Sequence, residues 1–428
     1  MRKLYLLLDE WDNDRNFVGR ELELIARKYD VTVICNSADE DLNPNVRYAI
    51  YRRPGKLKAI GSVLRMIADA DAWSELRRVL KEHAGKRAKV SEVIRFYINA
   101  DLFRSYMRRN GFLEDNAIYY SYWYFWKCYA VTHERKRFPG IRVITRTHEY
   151  DLYDYTSPSG YQPFKVSMDE KLDSIIFIAE HGRDYYLKKY NRMPGDKYKL
   201  YHLGTLRTDT AKIHGETEDA SLSDEACMNG HDTARNRNDS DAGQSNMLTM
   251  VSCSSIIVRK RVDRIAEALG LINDLNVRWL HFGTGDCEDR LKKLCEDKLK
   301  GKENISYELK GYVKNEELHK FYAQNRVDCF ITASSSEGNP VSVMEAMSYG
   351  IPVIAPAVCN FPNMIRDCGI LVSGECTPGE MAEAIRKIKS MPAAEALQMR
   401  DNAYKCWDES FNADKNNRRF TEEVLDRL

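Results

Sequence analysis

The sequence lacks the charge imbalance that marks many nucleic-acid-binding chains. Its 65 Lys and Arg residues almost balance its 64 Asp and Glu residues, for a formal net charge of +1 at pH 7. No global field therefore draws the chain towards nucleic acid or another polyanion. We expect no nucleic-acid partner, and any binding of phosphate must depend on a local site.

The sequence also lacks a paired-cysteine motif. Its eleven cysteines are scattered and include no C-x-x-C pair. Cys35, Cys253 and Cys329 lie inside apolar runs that are typical of buried strands. This distribution favours reduced core thiols in a cytosolic protein over a disulfide framework or a zinc site.

Long apolar runs are missing as well. No stretch approaches the roughly 18–20 apolar residues that a transmembrane helix needs. The N-terminal apolar run, residues 4–8, is too brief for a signal peptide. We therefore expect a cytoplasmic protein whose membrane contact, if it has any, is peripheral at the inner face of the cell membrane.

The sequence does contain a regular alternation of strand and helix patterns. Its length of 428 residues indicates two domains. This alternation predicts parallel, doubly wound sheets that bind ligands at the carboxyl ends of their strands. The predicted strands include 3–8, 31–35, 46–51, 142–147, 248–253, 277–282, 305–309, 327–331 and 352–355. The predicted helices include 17–28, 262–271, 286–298, 316–323 and 341–349.

Two stretches interrupt this alternation. Residues 56–112 have helical periodicity and many Lys and Arg. They predict a helical insertion in an N-terminal domain over 1–207, either as a solvated surface or as a basic face against anionic lipid. Residues 211–247 are polar and contain no aromatic residue, so they predict a disordered linker. A second domain is predicted over 248–400.

A small-residue loop at 334–340 follows a predicted buried strand and opens a helix that ends at Gly350. Gly338 allows close approach of a ligand to the backbone, and Pro340 favours a helix start. The free amides of the first helical turn then point at an anion, as a pyrophosphate requires. Glu337 in the loop and Glu345 about two turns along are candidates to contact the same ligand.

These residues resemble the E-x7-E segment of family 4 retaining glycosyltransferases, especially the bacterial exopolysaccharide and lipopolysaccharide branch. The resemblance implies the GT-B fold, in which two Rossmann-like domains face each other across a cleft. It also implies that Glu337 lies by the hydroxyls of the transferred sugar and that Glu345 binds the nucleotide ribose. The main chain that would hold the pyrophosphate or the sugar comprises Gly338, Asn339, Pro340, Val341 and Ser342.

Other segments of the second domain resemble the same family. Within 251–263, Lys260 matches the lysine that contacts the donor phosphates, whereas Ser255 stands where an arginine is common. Arg259 and Arg261 are both open as substitutes for that arginine. The segment 311–313 resembles the place where main-chain groups meet the donor base, which makes Tyr312 a donor-binding candidate. Where many relatives have Gly-Gly and a Glu, this chain has 359–363, Cys-Asn-Phe-Pro-Asn.

Two further segments extend the resemblance beyond the second domain. The segment 145–153 resembles a His-bearing loop, so that His148 is implied to donate a hydrogen bond to the donor sugar. The aromatic run 119–126 is explained mainly by core packing, although one or two rings are candidates for stacking on a sugar acceptor. The segment 407–412 resembles the start of a last helix, which predicts that 401–428 crosses back to the N-terminal domain.

The resemblance implies a metal-independent, retaining transfer of a hexose from a nucleotide-diphosphate sugar to a glycan or lipid-linked oligosaccharide. Glu337, His148 and Lys260 are then the catalytic candidates, and no cofactor is expected. Helix amides and Lys260 would stabilise the leaving diphosphate. One alternative is a catalytically silent nucleotide-sugar-binding partner in a glycan-assembly complex, which Ser255 and 359–363 favour. Another is a different GT-B activity, such as an NDP-sugar epimerase or a phosphorylase.

Overall fold

The computed structural model describes residues 1–38, 41–81, 86–207 and 247–428, which form two compact units. The first unit contains Met1–Leu203 together with Asp414–Leu428, and the second contains Gly204–Ala413. Of the predicted linker 211–247, only Met247 lies within the described residues, and it is the first residue of a strand.

The boundary between the units falls at Leu203, earlier than the predicted 207. Thr205 explains the difference, because it is bonded into the second unit. Its amide donates to the Phe411 carbonyl at 2.9 Å, and its Oγ1 accepts from Trp407 Nε1 at 2.9 Å. Residues 204–207 therefore belong to the second unit.

The first unit is built on a seven-stranded sheet in which every adjacent pair is parallel. The strand order is β3-β2-β1-β4-β5-β6-β7, so the order reverses between β1 and β4, as in a doubly wound sheet. This confirms the predicted fold class. The strands are β1 (Lys3–Leu7), β2 (Asp30–Cys35), β3 (Arg47–Ile50), β4 (Ile118–Ser121), β5 (Arg142–Thr147), β6 (Ser174–Phe177) and β7 (Tyr198–Leu200).

Both faces of this sheet are covered. Along β1, Leu4 and Leu6 pack in one apolar cluster, whereas Tyr5 and Leu7 pack in a second cluster on the opposite face. A strand buried on both faces needs an unbroken apolar run instead of an alternating one. The run at 4–8 is therefore a central strand.

The helices of the first unit include three that form the insertion between β3 and β4, in the range where a helical insertion was predicted. Helix α1 begins at Trp11, whereas residue 17 was predicted as its start. The prediction left out the first turns because residues 12–16 are polar and carry no apolar periodicity. The helices are α1 (Trp11–Lys28), α2 (Lys56–Ile67), α3 (Ala70–Lys81), α4 (Lys86–Arg109), α5 (Trp126–Thr132), α6 (Glu149–Leu152), α7 (Lys165–Asp169) and α8 (Glu180–Lys189).

The second unit has a six-stranded parallel sheet in the order β10-β9-β8-β11-β12-β13. Its strands are β8 (Met247–Cys253), β9 (Asn276–Phe282), β10 (Ile305–Leu309), β11 (Cys329–Ile331), β12 (Val353–Pro356) and β13 (Gly369–Val372). Its helices are α9 (Val262–Gly270), α10 (Glu288–Leu299), α11 (Asn315–Gln324), α12 (Val341–Ser348), α13 (Phe361–Met364), α14 (Pro378–Ser390) and α15 (Ala393–Cys406).

The C-terminal segment is not one helix over 401–428. Helix α15 ends at Cys406, a π-helical turn occupies Trp407–Phe411, and α16 (Ala413–Glu423) follows. Only Asp414–Leu428 packs with the first unit. The break occurs where Trp407 and Phe411 are buried in the second unit, so that the chain leaves this unit only after both side chains are packed.

The ten cysteines among the described residues are all free thiols. Burial raises the pKa of Cys128, Cys253 and Cys295 to about 12 in each case. These thiols are therefore protonated at neutral pH and behave as small apolar groups.

A buried ion pair joins three elements of the first unit. Arg146 Nη1 of β5 lies 2.7 Å from Glu21 Oε2 of α1, and the two side chains are 3% and 0% exposed. The guanidinium carbon lies 4.7 Å from the centre of the Phe420 ring of α16. The C-terminal helix is therefore attached to the sheet through the charged pair as well as through apolar packing.

Arg146→Met should lower the free energy of unfolding by about 3–5 kcal/mol, because it leaves the Glu21 carboxylate buried without a partner. The double variant Arg146→Met/Glu21→Gln should recover part of this loss. Urea unfolding followed by tryptophan fluorescence measures the effect. Arg47→Met, which breaks an exposed pair with Asp30, is the matched control and should change stability by less than about 1 kcal/mol. Equal losses in the two single variants would contradict this interpretation.

Candidate functional site

Helix α12 begins directly after the loop that leaves β11. Pro340 is its N-cap, with φ −68° and ψ 115°, and Val341 is its first residue, as predicted. Its carbonyl accepts hydrogen bonds from the amides of Val343 (3.1 Å) and Met344 (3.3 Å). The amides that precede these in a helix, here those of Val341 and Ser342, have no acceptor within the helix. They supply N–H groups for an anion.

In the loop before α12, the space beside Gly338 is empty, and a hydrogen bond to Asn339 anchors the loop. A Cβ added at Gly338 would meet no atom within 4 Å. Asn339 Oδ1 accepts a hydrogen bond from Nδ2 of the buried Asn360 at 2.7 Å, and Asn360 Oδ1 accepts from Asn363 Nδ2 at 3.1 Å. The segment 359–363, which departs from the family pattern, therefore fixes the position of this loop.

Glu337 is buried next to two cations. Lys260 Nζ donates to Glu337 Oε1, and Arg259 Nη1 lies 3.9 Å from Glu337 Oε2. Arg259 also donates to the Ser336 carbonyl at 2.9 Å. Two positive groups thus accompany one carboxylate at the loop that opens α12, which leaves a local excess of positive charge.

Ser255 and Arg261, the other residues considered for contact with the donor phosphates, have different surroundings from Lys260 and Arg259. Ser255 is exposed. Arg261 donates to four backbone carbonyls, among them Ala333 at 2.6 Å and Ser334 at 3.3 Å, so that its role is to hold loops together. Of the two candidates to replace the usual arginine, Arg259 is the one that lies beside Glu337.

The turn 282–285 has a structural role. A Cβ on Gly283, whose φ is +141°, would lie 1.9 Å from the Ser254 carbonyl oxygen. A Cβ on Gly285 would lie 2.5 Å from the Ile256 carbonyl oxygen. Both glycines are required because the turn packs against the chain that follows β8.

Tyr312 is 78% exposed and follows Gly311, whose carbonyl accepts from the Gly283 amide at 2.8 Å. The side chain of Tyr312 is therefore free of the core. The main chain at 311–312 lies beside the 282–285 turn, at the carboxyl ends of β9 and β10.

Glu345 lies inside α12 and is 5% exposed. Asn315 Nδ2 donates to Glu345 Oε1 at 2.5 Å, and His319 Nε2 lies 3.8 Å from the same oxygen. Burial raises the pKa of Glu345 to about 7, although the Asn315 hydrogen bond opposes the shift. Burial also lowers the pKa of His319. Near neutral pH the Glu345 carboxyl is therefore about half protonated, and the His319 imidazole is largely neutral.

His148 belongs to the first unit, at the carboxyl end of β5. Its side chain is 10% exposed, and its ring centre lies 4.4 Å from that of Trp123 and 4.8 Å from that of Tyr122. Both ring nitrogens are buried, and neither has a hydrogen-bond partner among the described residues. Asp151 Oδ1 accepts from the His148 backbone amide at 2.6 Å.

The residues around Glu345 and the role of Asn360 were not predicted from the sequence. Asn315 and His319 lie on α11, which begins just after the 311–313 segment. The sequence did contain a signal for these two residues, because both lie near the start of a helix that follows the carboxyl end of a predicted strand. The pairing of Asn339 with Asn360 had no such signal, because it joins two loops that are far apart in sequence.

Comparison with known proteins supports the resemblance. Residues 235–406 match the family model "Glycosyl transferases group 1". The chain is 26% identical over 182 residues to a phosphatidylinositol N-acetylglucosaminyltransferase component of Arabidopsis thaliana, covering 42% of this chain and 39% of that protein. It is 27% identical over 147 residues to lipopolysaccharide glucosyltransferase WaaG of Escherichia coli K12, covering 34% of this chain and 37% of that protein.

Solved structures extend the comparison to both units. The WaaG crystal structure matches with a TM-score of 0.53 and 14% identity, over 98% of this chain and 99% of that chain. Anabaena Alr3699/HepE in complex with UDP and glucose matches with a TM-score of 0.57 and 13% identity, over the full length of both chains. At this identity the structures establish the two-domain GT-B fold. The matched sequence stretches span about two fifths of each of the two curated relatives.

Glu345→Gln should raise stability by clearly more at pH 8 than at pH 5. The carboxyl has a pKa of about 7 when folded and 4.5 when unfolded, so the folded protein binds more protons between these values. The free energy of unfolding of the parent protein therefore falls as pH rises from about 4.5 to about 7, by roughly 3 kcal/mol relative to the glutamine variant.

Urea unfolding of both proteins at pH 5 and pH 8 measures this difference. Glu308→Gln is the control, because Glu308 is exposed and pairs with Arg278 and Lys310. It should not gain stability at pH 8. If Glu345→Gln shows the same stability difference at both pH values, then the buried carboxyl does not titrate as we expect.

Proposed function

We propose that this chain, which belongs through residues 235–406 to the Glycosyl transferases group 1 family, transfers a hexose from a nucleotide-diphosphate sugar. The acceptor is a glycan or a lipid-linked oligosaccharide, and the anomeric configuration is retained. The observation that carries the proposal is the grouping of Glu337, Lys260 and Arg259 at the start of α12. The two curated relatives, both named as sugar transferases, support it.

The grouping fits the two ends of a sugar diphosphate. The amides at the start of α12 and the ammonium of Lys260 suit the diphosphate, whose negative charge grows as the sugar leaves. The Glu337 carboxylate suits sugar hydroxyls as a hydrogen-bond acceptor. In the free protein Lys260 and Glu337 neutralise each other, and an arriving phosphate gives Lys260 a second anionic partner.

Glu345 is proposed to bind the ribose of the nucleotide. Its carboxyl lies deeper along α12 than the N-terminal amides and is nearly buried. With a pKa of about 7, it is both a donor and an acceptor near neutral pH, which matches a pair of ribose hydroxyls. Asn315 holds one of its oxygens in place.

His148 is proposed to donate a hydrogen bond to the transferred sugar. Both its ring nitrogens are buried without a hydrogen-bond partner among the described residues, and Nδ1 lies 3.6 Å from Asp151 Oδ2. A buried polar group that lacks a hydrogen bond is unfavourable unless a ligand supplies one. The flanking rings of Tyr122 and Trp123 fix the plane of the imidazole.

The proposed reaction uses no metal ion, because Lys260, Arg259 and the α12 amides take the place that a cation occupies beside a leaving diphosphate. Sugar transfer should therefore continue undiminished in EDTA. Lys260→Met should lower the turnover number by about 10²–10³-fold, the loss typical of removing one group that stabilises developing charge. A panel of UDP-, GDP- and ADP-hexoses with mixed glycan acceptors, followed by nucleotide release, measures both effects.

Lys302→Met is the matched control, since Lys302 is a partly exposed lysine of the second unit that donates to the Ile272 carbonyl. Its turnover should stay within twofold of the parent protein. Nucleotide binding without turnover on any donor would overturn the transferase proposal in favour of a silent binding partner. Loss of activity in EDTA that Mg²⁺ restores would overturn metal independence alone.

The proposal extends to peripheral contact with an anionic membrane surface. No helix in the described ranges meets the length and hydropathy that a bilayer span requires. Residues 56–112 contain thirteen Lys and Arg against six Asp and Glu, a net charge of +7 in a chain of +1. Three of the acids, Asp69, Glu75 and Asp101, have side chains 8% exposed or less because they bond within the fold.

An apolar stripe lies within this basic region. Ile60, Leu64 and Ile67 of α2 are 60%, 65% and 59% exposed, and their spacing places them on one face of the helix. Trp73 of α3 continues the stripe, because its Nε1 donates to the Ile67 carbonyl at 2.7 Å. Exposed aliphatic side chains, an indole and surrounding cations together are typical of a helix that lies in a bilayer interface.

Leu64→Ser/Ile67→Ser should weaken binding to vesicles of phosphatidylcholine and phosphatidylglycerol by at least about tenfold, because two apolar side chains no longer enter the bilayer. Sedimentation with the vesicles measures the bound fraction. Leu271→Ser/Leu397→Ser removes two exposed leucines of the second unit and should not change binding. Equal binding by both variants would contradict the proposal, as would a self-associating parent protein that the α2 variant converts to a monomer.

A further inference from the structure

A buried lysine in the first unit has no role in the chemistry described so far. Lys165 is the first residue of α7 and is 1% exposed. Its Nζ donates to the Tyr124 carbonyl and lies 3.9 Å from the centre of the Tyr124 ring. An ammonium group this deep is unfavourable unless a specific anion compensates for its lost hydration.

Asp151, which is itself 0% exposed, is the anion that most strongly opposes the lowering of the Lys165 pKa by burial. Asp151 Oδ2 accepts from the Tyr124 amide at 2.8 Å. The Tyr124 residue is therefore held on both sides, through its N–H by Asp151 and through its C=O by Lys165. Asp151 Oδ1 accepts in addition from the His148 amide at 2.6 Å, so one carboxylate connects both loops.

These two loops leave adjacent strands. Ser121 at the end of β4 pairs with Thr145 in β5, so the loop 122–125 and the loop at His148 emerge at the same edge of the sheet. Tyr122 and Trp123, the two rings against His148, immediately precede the clamped Tyr124. Movement of Tyr124 would therefore move the walls that orient the imidazole.

We propose that Lys165 is a positioning residue for His148, acting with Asp151 to clamp Tyr124 and so to fix the orientation of the imidazole towards the sugar. The link to turnover rests on the proposed function, whereas the link to the position of His148 does not. Lys165 is not proposed to touch the substrate.

The charge state of Lys165 gives the clamp a pH dependence. Burial lowers the pKa of Lys165 to about 8, while Asp151 opposes this shift. The ammonium therefore loses its charge as pH rises through about 8, and the clamp weakens. The titratable groups that face Lys165 from neighbouring elements are Asp151 (α6), Cys128 (α5), Lys189 (α8) and Asp154 in the turn after α6.

Two variants separate the hydrogen bond from the charge. Lys165→Met removes both and should lower the turnover number by about 10–100-fold, as expected when a reacting group is displaced by about 1 Å. The KM for the donor should stay within about twofold. Lys165→Gln keeps an N–H donor, so it should restore most of the turnover at pH 7 and abolish the decline of turnover above pH 8. Lys302→Met is again the control.

A second measurement does not depend on activity. In the proton NMR spectrum, the ring protons of His148, identified by their loss in His148→Gln, should change chemical shift in Lys165→Met, because the rings of Tyr122 and Trp123 that pack against the imidazole move with Tyr124. Lys302→Met should leave these chemical shifts in place. This readout decides the inference even if the parent protein transfers no sugar.

The inference is overturned if the ring protons of His148 keep the same chemical shifts in Lys165→Met as in the parent protein. It is also overturned if Lys165→Met lowers turnover, donor affinity and thermal midpoint together and Lys165→Gln restores none of them, since that pattern describes a purely structural lysine. Sugar transfer by the parent protein with unaffected Lys165 variants would overturn the inference while leaving the proposed function standing.

Discussion

Parallel strands that are buried on both faces leave little room for polar side chains along their length, and this constraint organises both units. In β1, successive side chains enter two different apolar clusters, so nothing chemical can be placed along the strand. The polar groups collect in the loops that follow the strands. Lys260 follows β8, Glu337 follows β11 and His148 follows β5. The same geometry makes helix starts available beside them, because in a doubly wound sheet each such loop leads into a helix.

Two lysine–carboxylate pairs at these edges have opposite consequences. Lys260 and Glu337 are partly accessible, with side chains 16% and 10% exposed, and a ligand that carries its own charges can separate them. Lys165 and Asp151 are sealed, at 1% and 0% exposed, and both also bond to main-chain groups of Tyr124. An accessible pair provides recognition, because its members can exchange partners. Lys165 and Asp151 provide rigidity, because both bond Tyr124, and moving either away would leave a buried charged group without its main-chain partner.

The sequence predicted the parts of this arrangement that depend on local pattern. Apolar runs and helical periodicity were enough for most strands and helices, for the doubly wound sheets, and for the segment that carries Glu337 and Glu345. The start of α1 was wrong because its first turns are polar, and the C-terminal helix was wrong because Trp407 and Phe411 are buried across a π-helical turn. The environment of Glu345 depends on Asn315 and His319, and the clamp depends on Lys165. These contacts join residues that are far apart in sequence, and no periodicity reports them.

The absence of the usual arginine at Ser255 does not remove the second positive charge from the site. Arg261 is committed to four backbone carbonyls that hold the 333–334 and 374–375 segments together. Arg259 instead approaches the same carboxylate as Lys260, and its side chain remains 37% exposed. A guanidinium has five N–H donors in a rigid fork, so it can bind the Ser336 carbonyl and an anion at the same time. Its position therefore favours Arg259 as the residue that replaces the usual arginine, four residues after Ser255 in the loop that follows β8.

The Asn360–Asn339 hydrogen bond compensates for the second departure, because it holds the loop of Glu337 where the family pattern has Gly-Gly and a glutamate. Both departures from the family pattern are thus compensated within this chain, which favours an active transferase over a silent binding partner.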